Sequence, residues 1–215
     1  MRRACAGAAP RPPRPAAGGR APWGYRSIDL IDLLLLCTGN ICRSPMAEAL
    51  LRDRLESRGF AAHVHSAGLL TSGRPASEHG VTVLRERGLD LGGHRSRTME
   101  TEMLRDADVV IGMAREHVRE AVVLHPPVWP RAFTLKELVR RGAEVGFRPH
   151  DQPLAEWLAK CHVGRVQRDL LGDSGADDVA DPIGSPLHAY ERTATELHDL
   201  VDRLVDLAFP PGAIT

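Results

Sequence analysis

The chain has 215 residues, with 28 lysines and arginines balancing 28 aspartates and glutamates, so its formal net charge is zero. That length suits one α/β domain with a substantial core, and the even balance leaves no basic excess to mark a nucleic-acid or anionic-membrane partner. The longest apolar run, residues 33–37, is far too short to cross a bilayer. Four cysteines over this length, two of them in one short stretch, do not make a secreted disulfide framework. A cytoplasmic, reducing environment is the expected compartment.

Residues 1–26 differ from the rest. They carry Arg2, Arg3, Arg11, Arg14, Arg20 and Arg26 among Pro, Ala and Gly, and no acidic residue precedes Asp29. An organelle-targeting peptide shares that bias, but Pro10, Pro12, Pro13 and Pro15 would break the helix it needs. A disordered tail, or a start codon assigned too early, is the expectation.

Beyond the tail, strand-like and helix-like segments alternate, which predicts a parallel sheet covered on both faces. Residues 28–36 read as the first strand. Residues 46–58 read as a helix with Ala47, Leu50, Leu51 and Leu55 on one face and Gly59 as its stop. A short strand is expected over 61–67, a helix over 78–87 before Gly88, and a strand over 109–113. The next helix, 115–125, ends at Pro126-Pro127. A short fourth strand over 131–135 leads into a helix over 136–141. Residues 142–178 read as an insertion, within which Leu154, Trp157, Leu158 and Cys161 have helical spacing. Residues 186–208 close the chain as a helix with Leu187, Tyr190, Ala194, Leu197, Val201, Leu204 and Ala208 on its apolar stripe. The whole reads as one domain over 27–210.

The informative stretch lies between the first strand and the first helix: Cys37-Thr38-Gly39-Asn40-Ile41-Cys42-Arg43-Ser44-Pro45. Backbone N–H groups in such a loop can converge on one anion, and the helix N-terminus adds its positive dipole. The same field favours a thiolate at Cys37. Arg43 offers a planar fork that matches two phosphoryl oxygens, which lysine does not. The chemistry this suggests is attack by sulfur on a bound phosphate. A zinc knuckle is not expected, because the Cys37–Cys42 spacing is wrong for one and Arg43 would repel a cation. Neither a metal nor an organic cofactor is therefore expected.

The full string resembles the signature of the low-molecular-weight protein-tyrosine phosphatase family, Cys-x-Gly-Asn-x-Cys-Arg-Ser-Pro. The likeness continues through Met46-Ala47-Glu48, His65-Ser66-Ala67-Gly68, Gly93-His94-Arg95-Ser96, Ala107-Asp108 and Asp181-Pro182. It implies a three-layer α/β/α sandwich around a four-stranded parallel sheet. It also implies a phosphorylated protein as substrate and hydrolysis through a phosphocysteine. In that reading residues 38–44 hold the phosphate, Ser44 hydrogen-bonds the Cys37 sulfur, and Asn40 occupies a left-handed turn buttressed by Ser66 and His94. The Asp of the Asp-Pro pair, Asp181 here, protonates the leaving oxygen and then activates water. His94 reads as a structural hydrogen-bonder, and Asp173, Asp177 and Asp178 as solvated loop. Oligomeric state is not legible.

The chain departs from many family members in having Ile183 and Gly184 where aromatics follow the Asp-Pro pair. A protein-arginine-phosphatase subgroup resembles it too, down to Thr38, but typically has threonine after the loop asparagine. Ile41 stands there instead and favours tyrosine. Arsenate reductases of the same fold need two downstream redox cysteines, and only Cys161 lies downstream. A phosphate-binding module without turnover would not need Cys37, Arg43 and Asp181 together.

Overall fold

Seven residues, Ile31–Cys37, form β1, and all but the first are buried. A strand buried on both faces needs neighbours on both edges and helices above and below, and β1 has them. The computed structural model describes residues 30–70 and 72–210. The tail expected over 1–26 lies outside them, as do the first two residues of the strand expected over 28–36. β2 (Ala62–Gly68), β3 (Val109–Gly112) and β4 (Ala132–Thr134) complete a four-stranded sheet of order β2-β1-β3-β4, every pair parallel.

Side chains alternate across the pleat and so feed two separate cores. Leu33 and Leu35 join Val64, Ile111 and Phe133 beneath α1 (Arg43–Ser57), α2 (Glu78–Arg85), α5 (Leu135–Val145), α6 (Leu154–His162) and α7 (Leu187–Ala208). Leu34 and Leu36 join Ala67, Val110 and Ala132 beneath α3 (Thr101–Asp106) and α4 (Arg115–Leu124). This is the expected three-layer sandwich. Among the described residues no helix is long and apolar enough to cross a membrane.

Several boundaries differ from the sequence reading, each for a physical reason. α1 starts at Arg43, three residues before the expected 46, because Pro45 sits in a first turn whose N–H groups have no intrahelical acceptor anyway. α3, six residues long, gives too few turns for a periodic signal. β4 is only Ala132–Thr134, preceded by a 3₁₀ turn over Pro126–Arg131 that the two prolines start. α5 runs four residues past the expected end at 141. Gly142 does not stop it, since that glycine provides room for a neighbour rather than a cap: a Cβ there would lie 2.8 Å from the Trp157 ring.

The segment after α5 is tied into the body at several points. α6 buries Trp157, Leu158 and Cys161, the residues whose spacing predicted it. The Trp157 indole N–H donates to the Gly146 carbonyl at 2.9 Å. Arg165 lies between the Trp129 and Phe133 rings, 3.9 and 4.0 Å from their centroids, and forks onto Glu137 at 2.7 and 3.0 Å. A guanidinium so stacked and paired is desolvated without being left unsatisfied.

Candidate active site

The chain leaves β1 at Cys37 and enters α1 at Arg43, so residues 38–42 form a loop at the C-terminal end of a central strand. Chain order runs from β1 to β2 on one side and to β3 on the other. Such a reversal opens a crevice beyond the strand ends, where open α/β sheets bind ligands.

Cys37 is buried, and its Sγ accepts hydrogen bonds from the Asn40 N–H at 3.2 Å and the Ser44 hydroxyl at 3.0 Å. To turn its N–H toward the sulfur, Asn40 adopts φ 51°, the single positive value at a non-glycine residue among those described. Asn tolerates that region because its side chain can bond locally. Here Nδ2 donates to Ser44 Oγ at 3.0 Å and Ser66 Oγ at 2.8 Å, while Oδ1 accepts from the Arg97 N–H at 2.8 Å. The Asn40 carbonyl accepts from His94 Nε2–H at 2.7 Å, and the Ser66 hydroxyl donates to Glu48 at 2.6 Å. Burial pulls the His94 pKa down against the opposing effect of that carbonyl, which keeps the ring neutral. Ser66 and His94 thus both touch Asn40. Gly68 completes the fit, because a Cβ there would lie 2.9 Å from the Asn40 nitrogen and the Thr38 carbonyl.

Arg43 reaches back over the loop with its side chain only 6% exposed. Nη1 donates to the Val179 carbonyl at 3.1 Å, and Nη2 to Thr38 Oγ1 at 3.3 Å and to Asp181 Oδ2 at 2.5 Å. Its Nε is buried with no protein partner among the described residues, leaving that donor for a ligand oxygen. Asp181 is 36% exposed and fixed through its other oxygen by the Ile183 N–H at 3.1 Å. Arg43 thus ties Asp181, 138 residues further along the chain, to Thr38 in the loop that follows Cys37.

Asp177 and Asp178 are what deliver Asp181 there, which corrects the reading of them as solvated loop. Asp177 is buried and receives Arg115 at 2.8 and 2.6 Å and Arg140 at 2.7 Å. Burial pushes its carboxyl up, but these two arginines outweigh that and hold it below the usual range. Asp178 accepts from the first N–H of α4, that of Arg115, at 2.8 Å and from the Ser174 N–H at 2.8 Å. The Val179 N–H then bonds the Met113 carbonyl at 2.8 Å, laying the segment along the end of β3.

Two further residues at the site escaped the sequence reading. Thr38 donates to Glu116 at 3.0 Å and lies 3.0 Å from His117 Nε2. His117 has no exposed surface; burial, then the charge of Arg43, pushes it down to about 3, so the ring is neutral. The available signal was a histidine on the buried face of α4, beside Val118, Ala121 and Val122. Cys42 is buried with Sγ 3.5 Å from the Tyr190 hydroxyl. Burial pushes the Cys42 thiol up and Tyr190 up to about 12, so both keep their protons.

Comparison with known proteins shows the family. The family model described as low molecular weight phosphotyrosine protein phosphatase matches residues 32–145. A protein-arginine-phosphatase of Geobacillus stearothermophilus is 32% identical over 176 residues, covering 81% of this chain and 93% of that protein. A probable low molecular weight protein-tyrosine-phosphatase of Ralstonia solanacearum is 33% identical over 133 residues, covering 61% of this chain and 89% of its own. Among solved structures, the low molecular weight protein tyrosine phosphatase of T. tengcongensis superposes with a TM-score of 0.63 at 34% identity, over 82% of this chain and 98% of that one. The matched region includes the thiol loop, its strand and the helices that brace it, and the chain belongs to the low molecular weight phosphotyrosine protein phosphatase family.

Proposed function

We propose that the enzyme hydrolyses phosphotyrosine in proteins through a phosphocysteine at Cys37. The observation that carries this reading is the convergence on one loop of a doubly hydrogen-bonded sulfur, a buried guanidinium and an acid. The Cys37 sulfur attacks phosphorus, and the aryl oxygen leaves with a proton from Asp181. The Asp181 carboxylate then takes a proton from the water that attacks the phosphorus–sulfur bond, freeing inorganic phosphate and the thiolate. Arg43 and the loop N–H groups hold the equatorial oxygens throughout, where charge is densest in the transition state. Ser44 steadies the sulfur as nucleophile and as leaving group, and Asn40, braced by Ser66 and His94, keeps the loop in shape. None of these steps needs a metal or organic cofactor. The described cysteines, Cys37, Cys42 and Cys161, are all free thiols, which supports a reducing cytoplasm as the compartment.

Tyrosine is favoured by Ile41, which brings no hydroxyl to the loop, and by Ile183, half exposed beside Asp181, which gives an aryl ring apolar surface. Phosphoarginine is the second reading, because relatives from two Bacillus-type bacteria that match this chain over most of their length are protein-arginine-phosphatases. Hydrolysis of phosphotyrosine, phosphoarginine and phosphoserine peptides of one sequence separates them. The expected order of kcat/KM is tyrosine first, with the Cys37→Ser protein inactive on all three. A preference for phosphoarginine overturns the substrate assignment, and turnover by Cys37→Ser overturns the mechanism.

A further inference from the structure

The opposite end of the sheet holds a second cluster of chemistry-bearing side chains. Asp32 on β1 and His63 on β2 are direct partners in the parallel ladder. His65, two residues further along β2, presents to the same face. His63 Nδ1 lies 2.8 Å from Asp32 Oδ2, and His65 Nε2 lies 2.9 Å from Oδ1. The two imidazoles stack with centroids 4.5 Å apart and planes 20° from parallel. One ligand atom from each of the three residues falls within 4.8 Å of the other two. We propose that Asp32, His63 and His65 form a divalent-cation site, binding zinc or a similar first-row ion through two imidazole nitrogens and one carboxylate oxygen. This goes against the metal-free expectation from the sequence and is independent of the catalytic reading.

The donor set suits borderline ions: imidazole and carboxylate are the ligands zinc takes when thiolate is absent, and three protein ligands leave one position for water. The geometry is nearly in place. Metal–ligand lengths of about 2.0–2.1 Å at tetrahedral angles set ligand atoms about 3.3 Å apart, so the nitrogen–oxygen pair on the ligating oxygen opens by only about 0.5 Å, while the other imidazole nitrogen, already within 4.8 Å, turns onto the same ion. Asp32 and His65 are buried and held by ladder hydrogen bonds, so little ordering is left to do on binding. The Asp32 N–H is itself fixed on Asp108 at 2.8 Å. β2 is an edge strand and the His63 side chain is 23% exposed, which gives an ion and its water a way in.

Arg97 sets the condition for binding. Its Nη2 donates to His65 Nδ1 at 3.2 Å and to the Ser66 carbonyl at 3.1 Å. With Nδ1 accepting, the ring proton sits on Nε2 and points at Asp32. Ligation through Nε2 moves that proton through solvent to Nδ1, where Arg97 releases the ring and keeps the Ser66 carbonyl. No proton is lost overall from a neutral ring, and the ion's charge replaces two N–H donors on the carboxylate. The competing account is a buried carboxylate satisfied by two imidazole N–H groups and binding nothing.

Zinc titration of the Cys37→Ser protein, in which the catalytic thiol cannot serve as ligand, decides between them. Calorimetry should show about one equivalent of zinc bound, and X-ray absorption should show nitrogen and oxygen neighbours without sulfur. His63→Ala, at a half-buried position that leaves the core intact by circular dichroism, should weaken binding about tenfold or more. Adding cobalt(II) to the same protein should give visible bands that His63→Ala removes. Absence of binding, sulfur in the coordination shell, or a loss under tenfold in His63→Ala overturns the site.

Discussion

Replacing Asn40 by alanine tests whether the loop's shape is held by the side chain or by the backbone alone. Alanine at φ 51° carries about 1 kcal/mol of left-handed strain. It also removes three hydrogen bonds, from the partly buried Arg97 N–H to Asn40 Oδ1 and from Asn40 Nδ2 to the buried Ser44 and Ser66 hydroxyls, at about 1–3 kcal/mol together. The sum, about 2–4 kcal/mol, corresponds to a fall in Tm of about 5–15 °C for a domain of this size. Activity should fall further than stability explains, because Ser44 and Ser66 both lose the amide that orients them. Asn40→Gly relieves the strain but restores neither bond, so its kcat should stay as low as that of Asn40→Ala at temperatures where both are folded. Urea titration and kcat measured on folded protein are the assays. An Asn40→Gly enzyme with kcat near the parent value, or an Asn40→Ala protein within about 2 °C of the parent Tm, refutes the account.

Asp181→Ala should slow phosphorylation by phenyl phosphate more than by an activated aryl phosphate, since only the poor leaving group needs the proton; equal losses in single-turnover kinetics would reduce Asp181 to a turn residue. His117 should make the fold acid-sensitive: its pKa of about 3 lies below the unfolded value, so the unfolded chain binds the extra proton first. Stability should then drop by up to about 1.4 kcal/mol per unit as pH falls from about 6.5 toward 3, and His117→Gln should flatten that slope in urea melts. Peroxide should inactivate the enzyme and a thiol reductant restore it, with bound phosphate protecting the sulfur. Cys42, in the same loop, should trap the Cys37 sulfenic acid as a disulfide, so in Cys42→Ser recovery should be poor and sulfinic or sulfonic acid should accumulate at Cys37 by mass spectrometry; equal recovery would leave Cys42 with no resolving role.

What the sequence shows well is what depends on local order. The strand, the thiol loop and α1 are contiguous, so Cys37 and Arg43 are legible from spacing alone, while the bond from Ser44 to the sulfur is implied by the family resemblance. Ser66, His94 and Asp181 lie far along the chain, and only the family resemblance links them to the loop. Asp177 illustrates a failure of composition: an acidic run before a proline reads as solvated until Arg115 and Arg140, from two different helices, are seen to bury it. Glu116 and His117 failed for a related reason, since α4 announces its apolar stripe and gives no hint that the stripe's first turn faces the loop after Cys37. Asp32, His63 and His65 are brought together by strand register, which no pattern within one strand reveals.

The contact between Gly142 and Trp157 has a consequence for how this chain can change over time. Gly142 lies inside the stretch that the family model matches, and Trp157 lies beyond its end at residue 145. The glycine is nonetheless shaped by the tryptophan: a methyl group there would stand 2.8 Å from two ring carbons and 3.3 Å from Leu207. Truncating Trp157 to alanine alone would open a void costing about 3–5 kcal/mol. Alanine at 142 alone would unseat the ring. Neither step is easily survived by itself, whereas the pair can shift together, small with large exchanged for medium with medium. Homologues should therefore vary at these two positions in concert, and the helix bearing Trp157 should be inherited as a unit with the α5 surface that receives it.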